Sequence, residues 1–566
     1  MSMFLVTQEN RPGRTEWAIA LTIAIFATLL FVLPYMLGHI LAHPNEVFSG
    51  IWFNIDDGSY LSVIHQGLNN QWTYRNLFTT EPHEAVFIQG FYLSLGHLGR
   101  LLNLTVVQTW HLSLVLANLT LFIVLYQFLA QFLSAPKQRL FAYLLAIFGA
   151  GYDWFQFPTW LERAAALEAV PIDLFMPEAH LFYSALTFPH FSAGTTLLLL
   201  IFWWSLRALM PDQKPGRGWW FAFLAGLGNL LLIIIYPFLI LLTAAVLGVF
   251  YVYLLRRARS FLWSAGLKLL IIFSLPIPLL AYYLLVLMNN AVMRAWNAQA
   301  VTLSPNPIHY ILTYAPYLLL GVWTLRYLRD DPTRVRDRLV FLWIWVGCVA
   351  VLLYLPINPQ RRFVEGLQVP MAILASWGLF ATVLPRIMRT RAVQALTNQP
   401  RYSQAGISRL VLFVVFAGTC LFNAYLYLGT VATLGLIQPY PVFRPQAEIE
   451  AMDWLKENTP PSAVVLGSYW TGSYLPGRSG NTVFVGHLYE TIDFTAKREL
   501  ANRFFSPDTP ADWRRSFIEQ QAIDFVFIGP HERQFEPFSL EEDFGGGSLD
   551  LVYQNEQVRI YRARSP

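Results

Sequence analysis

The stretch WAIALTIAIFATLLFVLPYMLGHIL, residues 17–41, is apolar throughout and contains no Asp, Glu, Lys or Arg. An apolar run of about 20 residues is long enough to cross a bilayer as an α-helix. Hydrophobic residues make up 55% of the 566-residue chain and charged residues only 13%. Soluble domains have about a quarter charged residues. The sequence therefore predicts a polytopic α-helical membrane protein.

Similar apolar runs recur, and they predict about eleven membrane-spanning helices. The run at 219–255 is too long for one helix, and Pro237 predicts a break within it because proline interrupts the helical hydrogen bonds. The predicted spans are residues 17–41, 106–133, 140–157, 185–209, 219–235, 237–255, 261–288, 308–328, 339–357, 367–388 and 410–435.

Charged residues are divided unequally between the two sets of connecting loops. One set is short and holds most of the Lys and Arg residues, which the positive-inside rule assigns to the cytoplasm. The opposite loops at 42–105, 152–184 and 289–307 are long and hold most of the carboxylates. We therefore expect a cytoplasmic N-terminus, an extracytoplasmic C-terminus and a site on the outer side.

The composition changes to that of a soluble domain from about Ala447. Helical patterns at 447–459 and 511–521 alternate with apolar strand patterns at 463–467 and 523–529. A hairpin pattern follows at 549–563. The chain is thus predicted to contain a transmembrane domain, 1–438, and an extracytoplasmic α/β domain, 439–566.

Two adjacent carboxylates, Asp56 and Asp57, lie in the motif NIDDGSY just after the first span. A carboxylate placed beside an acceptor hydroxyl and partly shielded from water is suited to act as a general base. The alternative is a structural Asx turn or helix cap, since Asp and Asn favour such positions. Gly58 indicates a turn in which the two carboxylates converge.

The motif NPQRRFVEGL places Arg361 and Arg362 in an outer loop, against the general charge bias. The planar guanidinium group of arginine binds phosphate through two hydrogen bonds. The alternative is pairing within a helix, because Glu365 follows the two arginines at helical spacing.

The loop MPEAHLFYSALTFPHFSAG contributes Glu178, His180 and His190. His190 lies at the mouth of a span, where an ionisable group is a functional candidate. Binding of phosphate or a sugar hydroxyl is one interpretation, and a histidine that satisfies a backbone carbonyl is the other. No HExxH spacing is present, and Cys348 and Cys420 lie in apolar runs. We predict no cofactor and no bound metal, although a divalent metal is left open.

Taken together, the many spans, the acidic first outer loop and the C-terminal outer α/β domain resemble the GT-C superfamily of membrane glycosyltransferases. A narrower resemblance is to a bacterial multi-spanning branch. It is carried by NIDDGSYLSVIHQG, TTEPHEAVF, MPEAHLFYSALTFPHF, SPNPIHYIL, QRRFVEGL and WLKENTPPSAVVLGS.

The resemblance implies an inverting sugar transfer from a polyprenyl-phosphate donor at the outer face of a bacterial plasma membrane. It implies a glycan, lipid or protein acceptor, and no nucleic acid. Asp56 or Asp57 would be the base, with Asp56 preferred, and Arg361 or Arg362 would hold the leaving phosphate. The oligosaccharyltransferase motif WWDYG is not matched, because the segment Tyr469–Tyr474 has similar aromatic residues but no Asp.

Two other classes of function are compatible with the pattern. A transporter or flippase of a lipid-linked sugar would have broken helices and ionisable residues within spans, for which Lys268, Pro276 and Pro278 are the only indications. A non-catalytic membrane assembly protein would use the α/β domain as its docking surface.

Overall fold

The computed structural model describes residues 12–156, 171–209, 216–330, 334–535 and 549–564. Part of the predicted loop 152–184 therefore lies outside the described residues. The chain forms two compact units, each built from three segments. The first unit comprises Met1–Phe31, Leu114–Ala281 and Thr302–Gly429, and the second comprises Val32–Ser113, Tyr282–Val301 and Thr430–Pro566.

The membrane region is helical, as predicted, and the chain is a multi-pass membrane protein. Its break near Pro237 is confirmed, because one helix ends at Ile235 and the next begins at Leu239. The longer helices are Arg14–Ile40, Val106–Leu129, Pro136–Phe148, Pro189–Leu209, Arg217–Ile235, Leu239–Ala258, Trp263–Ser274, Ile277–Asn289, Arg334–Leu352, Gln368–Gly378 and Gln404–Ala432. Shorter helical segments are Asp153–Gln156, Ile172–Phe175, Pro177–Ala179, Leu181–Thr187, Pro307–Thr313, Ala315–Gly321, Val322–Thr324, Leu325–Asp330, Gln360–Val364, Leu379–Val383, Leu384–Met388, Arg391–Thr397 and Thr433–Ile437.

Seven helical segments among the described residues are long and apolar enough to cross a membrane, and nine are if each bent pair counts as one span. The bent pairs are Trp263–Ser274 with Ile277–Asn289, at 41°, and Pro307–Thr313 with Ala315–Leu328, at 70°. The other two predicted spans contain Pro136–Phe148, which is 13 residues long, and Arg334–Leu352, which begins with charged side chains. The count of about eleven stays a prediction.

The second unit combines the first predicted outer loop with the C-terminal region. The α/β domain is confirmed in this unit. Its predicted helices and hairpin are present, and it also contains a strand at Thr482–Val483 and a helix at Phe494–Phe505 that were not predicted. The helices of the unit are Ile55–Asp57, Gly58–Leu68, Gly90–Leu101, Ala291–Gln299, Gln446–Asn458, Tyr469–Gly472, Leu475–Arg478, Phe494–Phe505, Ala511–Gln520 and Glu532–Phe535.

Two sheets organise the second unit. The strands are β1 (Glu46–Phe48), β2 (Phe443–Pro445), β3 (Val464–Leu466), β4 (Thr482–Val483), β5 (Phe525–Ile528), β6 (Leu549–Gln554) and β7 (Arg559–Ala563). Strands β1 and β2 pair antiparallel, and the larger sheet has the order β4-β3-β5-β7-β6. Within it, β3 pairs parallel with both β4 and β5. Strand β7 pairs antiparallel with both β5 and β6.

The core of the larger sheet is apolar and packed on its helices. It includes Leu466, Phe484, Phe504, Phe517 and Val526, each at most 4% exposed. Burial of an apolar side chain of this size contributes about 1.5–3 kcal/mol. This sheet fixes the loops that follow β3 and β4, and both loops contact the motif NIDDGSY.

Candidate active site

The motif NIDDGSY forms a short 3-10 turn, Ile55–Asp57, that leads into the helix Gly58–Leu68. Asn54 is in extended conformation and caps this turn, with its side-chain oxygen 3.3 Å from the amide nitrogen of Asp56. In return, the backbone N–H of Asn54 donates a 2.8 Å hydrogen bond to Asp57 Oδ2. A structural capping interaction is therefore present at the 3-10 turn, where Asn54 and Asp57 cap each other's backbone, whereas Asp57 makes no side-chain cap bond to the helix Gly58–Leu68.

Asp56 is held differently, by groups from the C-terminal region. Its Oδ1 accepts a 2.9 Å hydrogen bond from the phenol of Tyr469 and a 3.2 Å bond from the amide of Leu488. The residue is only 8% exposed. The two carboxylates thus diverge to different partners, although the sequence suggested that a turn would make them converge.

Burial changes the proton affinity of two groups in this site. It raises the pKa of Asp57 well above the usual range, and the nearby Asp56 charge adds to this, whereas the amide of Asn54 opposes it. Burial also raises the pKa of the Tyr469 phenol, and the Asp56 carboxylate contributes in the same direction. Tyr469 is therefore a protonated donor at neutral pH.

Gly58 allows close packing rather than a special turn. Its φ of −55° and ψ of −22° are ordinary helical values. A Cβ at this position would lie 1.9 Å from the carbonyl oxygen of Ser473, far inside van der Waals contact. The absence of a side chain therefore brings the start of the helix against the segment that carries Tyr469.

A cavity of about 830 Å³ opens along the same helix. Leu61, His65, Tyr474 and Arg478 are among its lining residues, and neither Asp56 nor Asp57 lines it. Its volume is within the range of small-molecule sites, about 300–1,000 Å³.

The first unit contains the predicted arginine pair. Glu178 lies between Arg361 and Arg362, with its Oε1 3.5 Å from Arg361 Nε and 3.4 Å from Arg362 Nη1. Glu178 is 2% exposed, while about a quarter of each arginine side chain is exposed. These distances are longer than the 2.7–2.9 Å or so of a charge-assisted hydrogen bond. The guanidinium groups are therefore near the carboxylate without being tightly bound to it.

The close ion pairs of these arginines described above go to Glu178, while Glu365 also interacts electrostatically with Arg362. Residues Gln360–Val364 form a 3-10 turn, and Glu365 follows it at φ −48° and ψ 124°, so the spacing of an α-helix does not apply. The buried carboxylate of Glu365 instead accepts a hydrogen bond from Thr195.

The two predicted histidines have separate environments. The ring of His190 packs against those of Phe191 and Tyr236, at centroid distances of 4.5 and 5.4 Å. The guanidinium carbon of Arg362 lies 5.8 Å from the centroid of the same Phe191 ring. His180 Nε2 lies 3.0 Å from both Asp173 Oδ1 and Thr313 Oγ1.

A buried acid–histidine network in the first unit was missed by the sequence analysis. Besides the Asp173–His180 contact, His309 Nδ1 lies 3.0 Å from Asp153 Oδ2. The available signals were the aspartates Asp153 and Asp173 in the loop 152–184 and a histidine in SPNPIHYIL. Tyr469 was also missed as a site residue, although its aromatic segment was noted.

Among the described residues, no three His, Cys, Asp or Glu side chains are grouped so that they could hold a metal ion. The absence of a metal and of any other cofactor stays a prediction. The aspartates belong to the second unit and the arginines to the first, and their convergence on one site also stays a prediction.

The fold of the chain is similar to that of solved membrane glycosyltransferases. ArnT from Cupriavidus metallidurans, solved bound to undecaprenyl phosphate and in the apo state, is 13% identical with a TM-score of 0.53. The alignment covers 97% of this chain and 98% of ArnT. The chain therefore shares the fold of ArnT, which agrees with the resemblance to the GT-C superfamily noted from its sequence.

A second solved structure is the oligosaccharyltransferase of Archaeoglobus fulgidus tethered to an acceptor peptide. It is 13% identical with a TM-score of 0.49, over 98% of this chain and 74% of that chain. No protein-family model matches the chain, and no curated protein matches it by sequence.

Proposed function

We propose that this protein is an inverting glycosyltransferase that uses a polyprenyl-phosphate-linked sugar at the outer face of a bacterial plasma membrane. The observation that carries the proposal is the buried Asp56 carboxylate, held through one oxygen at the start of the first outer loop of a GT-C fold. The similarity to ArnT supports the fold, and the structure bound to undecaprenyl phosphate motivates the choice of carrier.

Asp56 is the proposed base, since Asp57 is committed to the cap of the turn. The acceptor hydroxyl transfers its proton to the Asp56 carboxylate while its oxygen attacks the anomeric carbon of the donor sugar. The bond between that carbon and the phosphate oxygen breaks, and the polyprenyl phosphate leaves with the electron pair. Attack from the face opposite the leaving group inverts the anomeric configuration.

Arg361 and Arg362 are proposed to bind the phosphate of the donor and of the leaving carrier. Two neighbouring guanidinium groups can donate several hydrogen bonds to phosphate oxygens. Glu178 balances their charge while no phosphate is bound, and Glu365 and His190 complete the surroundings of the pair. This role explains why two arginines lie in a predicted outer loop.

The direct test measures release of polyprenyl phosphate, which is a product whatever the acceptor. Purified protein in nanodiscs is incubated with a panel of undecaprenyl-phosphate hexoses and pentoses and an envelope extract as the acceptor source. General-base catalysis contributes about 10²–10⁴-fold, so we expect a loss of this size for Asp56→Asn. Asp57→Asn should lose stability more than turnover. Wild-type turnover of Asp56→Asn would refute this base assignment, and wild-type turnover in both single variants and in the double variant would exclude either aspartate as the base.

A transporter of lipid-linked sugar is the second candidate, because the two bent helix pairs are the broken helices that such proteins contain. The ammonium of Lys268, however, donates a 2.9 Å hydrogen bond to the carbonyl of Ala208, and Lys268 is buried inside the protein. Sealed proteoliposomes loaded with an undecaprenyl-phosphate hexose separate the two functions. Movement of the intact lipid-linked sugar between leaflets, without release of polyprenyl phosphate, would favour transport.

A further inference from the structure

We propose that Tyr469 is a positioning residue of the transfer reaction, and that the C-terminal α/β domain thereby supplies part of the active site. The inference rests on the proposed function, in which Asp56 accepts the proton. Its basis is that Tyr469 and the amide of Leu488 both donate to the same carboxylate oxygen, Oδ1.

Two donors on one oxygen fix the plane of the Asp56 carboxylate. Within the part of the chain that the structure describes, the hydrogen bonds to this carboxylate all end on Oδ1. The other oxygen, Oδ2, is left to receive the acceptor proton. Because a base must lie within hydrogen-bond reach of the proton it removes, an orientation fixed before the acceptor binds favours catalysis.

Tyr469 is itself held firmly by the loop after β3. Ser468 caps its short helix through a 3.3 Å bond from the amide of Thr471. The buried carboxylate of Glu532 accepts a 2.7 Å bond from the amide of Ser468 and another from the Thr471 hydroxyl. Phe494 also packs edge-on against the Tyr469 ring at 5.1 Å. The phenol therefore has little freedom to leave Asp56.

The Leu488 amide is held by the loop after β4, which the first outer loop braces. The phenol of Tyr74 donates a 2.6 Å hydrogen bond to Glu490 Oε2. The side-chain amide of Asn76 donates a 2.8 Å bond to the backbone carbonyl of Glu490. The Thr491 hydroxyl accepts bonds from the amides of Gly486 and His487. Both donors to Asp56 thus depend on the folded sheet.

The test compares Tyr469→Phe, which removes only the hydroxyl, with Tyr553→Phe. The control removes a phenol on strand β6 of the same domain, whose oxygen accepts a 3.0 Å bond from the side-chain amide of Asn555. A hydrogen bond to a charged group is worth enough to change a rate by about 10- to 100-fold. We expect Tyr469→Phe to lower kcat by this factor with the KM for the undecaprenyl-phosphate sugar unchanged, while Tyr553→Phe retains wild-type kcat.

A double-variant cycle distinguishes positioning from a general loss of structure. Tyr469→Phe should have little further effect in the Asp56→Asn background, because the carboxylate that it orients is gone. An equal effect in both backgrounds would refute the positioning role. So would a wild-type kcat for Tyr469→Phe when Asp56→Asn is inactive. If Asp56→Asn itself retains wild-type turnover, the proposed base is wrong and the role of Tyr469 falls with it.

Discussion

Replacing Arg361 or Arg362 by Ala removes one of the two guanidinium groups that lie on Glu178. At the observed 3.4–3.5 Å and an effective dielectric constant of about 20, each charge pair attracts with about 5 kcal/mol. Much of that attraction offsets the cost of burying the Glu178 carboxylate. Each Ala variant should therefore melt at a lower temperature than the wild type, yet still fold, because one arginine remains.

The Ala variants should also bind the phosphate group more weakly. Hydrogen bonds to a charged group contribute about 1.5–3 kcal/mol, so each Ala variant should bind undecaprenyl phosphate about 10- to 150-fold more weakly. Lys at either position should restore only part of the affinity, since it lacks the planar fork of arginine. Glu178→Gln should bind about tenfold more tightly, because phosphate then displaces no carboxylate charge.

The assay is binding of undecaprenyl phosphate to the full-length protein in nanodiscs of uncharged lipid, at low and high salt. Arg294→Ala is the matched control, since this exposed arginine donates a 3.2 Å bond to the carbonyl of Met288 and is outside the proposed site. Wild-type affinity in both arginine variants, or weaker binding by Glu178→Gln, would refute the proposed role of the pair.

Two further predictions concern stability. Gly58→Ala should lower Tm, because the new Cβ meets the Ser473 carbonyl at 1.9 Å and such overpacking costs about 1–3 kcal/mol. The helical control is Gly248→Ala, where nothing lies within 4 Å of the new Cβ, and this variant should not lower Tm. Burial, assisted by the charges of Lys456 and Arg478, lowers the pKa of His65 to about 4. The unfolded chain, with a pKa of about 6.5, therefore binds a proton that the folded protein does not between these two values. Stability should fall as the pH decreases through this window, by about 2 kcal/mol at pH 5, and a pH dependence of Tm that is identical in His65→Gln would contradict this assignment.

The membrane fold was predictable because it depends on long apolar runs and on their breaks. The capped turn that precedes the helix Gly58–Leu68 was equally predictable, since Asn54 and Asp57 are residue types that favour caps. The partners of Asp56 were not readable, because Tyr469 is 413 positions away in the chain. The pairing of β3 within the sheet and the packing at Gly58 help to bring it to the carboxylate.

The arginine motif shows a different limit of sequence patterns. Spacing favoured Glu365 as the partner only if the segment were α-helical. The chain forms a 3-10 turn there, and the carboxylate that contacts both arginines, Glu178, comes from another predicted outer loop. Such a tertiary partner has no local signature in the sequence.

The pairing of β1 with β2 has a consequence for how the protein is made. Val47, just after the first span, pairs with Arg444, just after the last span. A ribosome synthesises the first of these strands long before the second. The strand that precedes Asp56 therefore cannot pair until most of the polypeptide has been made. The donors at Tyr469 and Leu488 are made later still. A nascent or prematurely terminated chain therefore contains the aspartate without the groups that orient it, and the proposed activity begins only when synthesis of the C-terminal domain is complete.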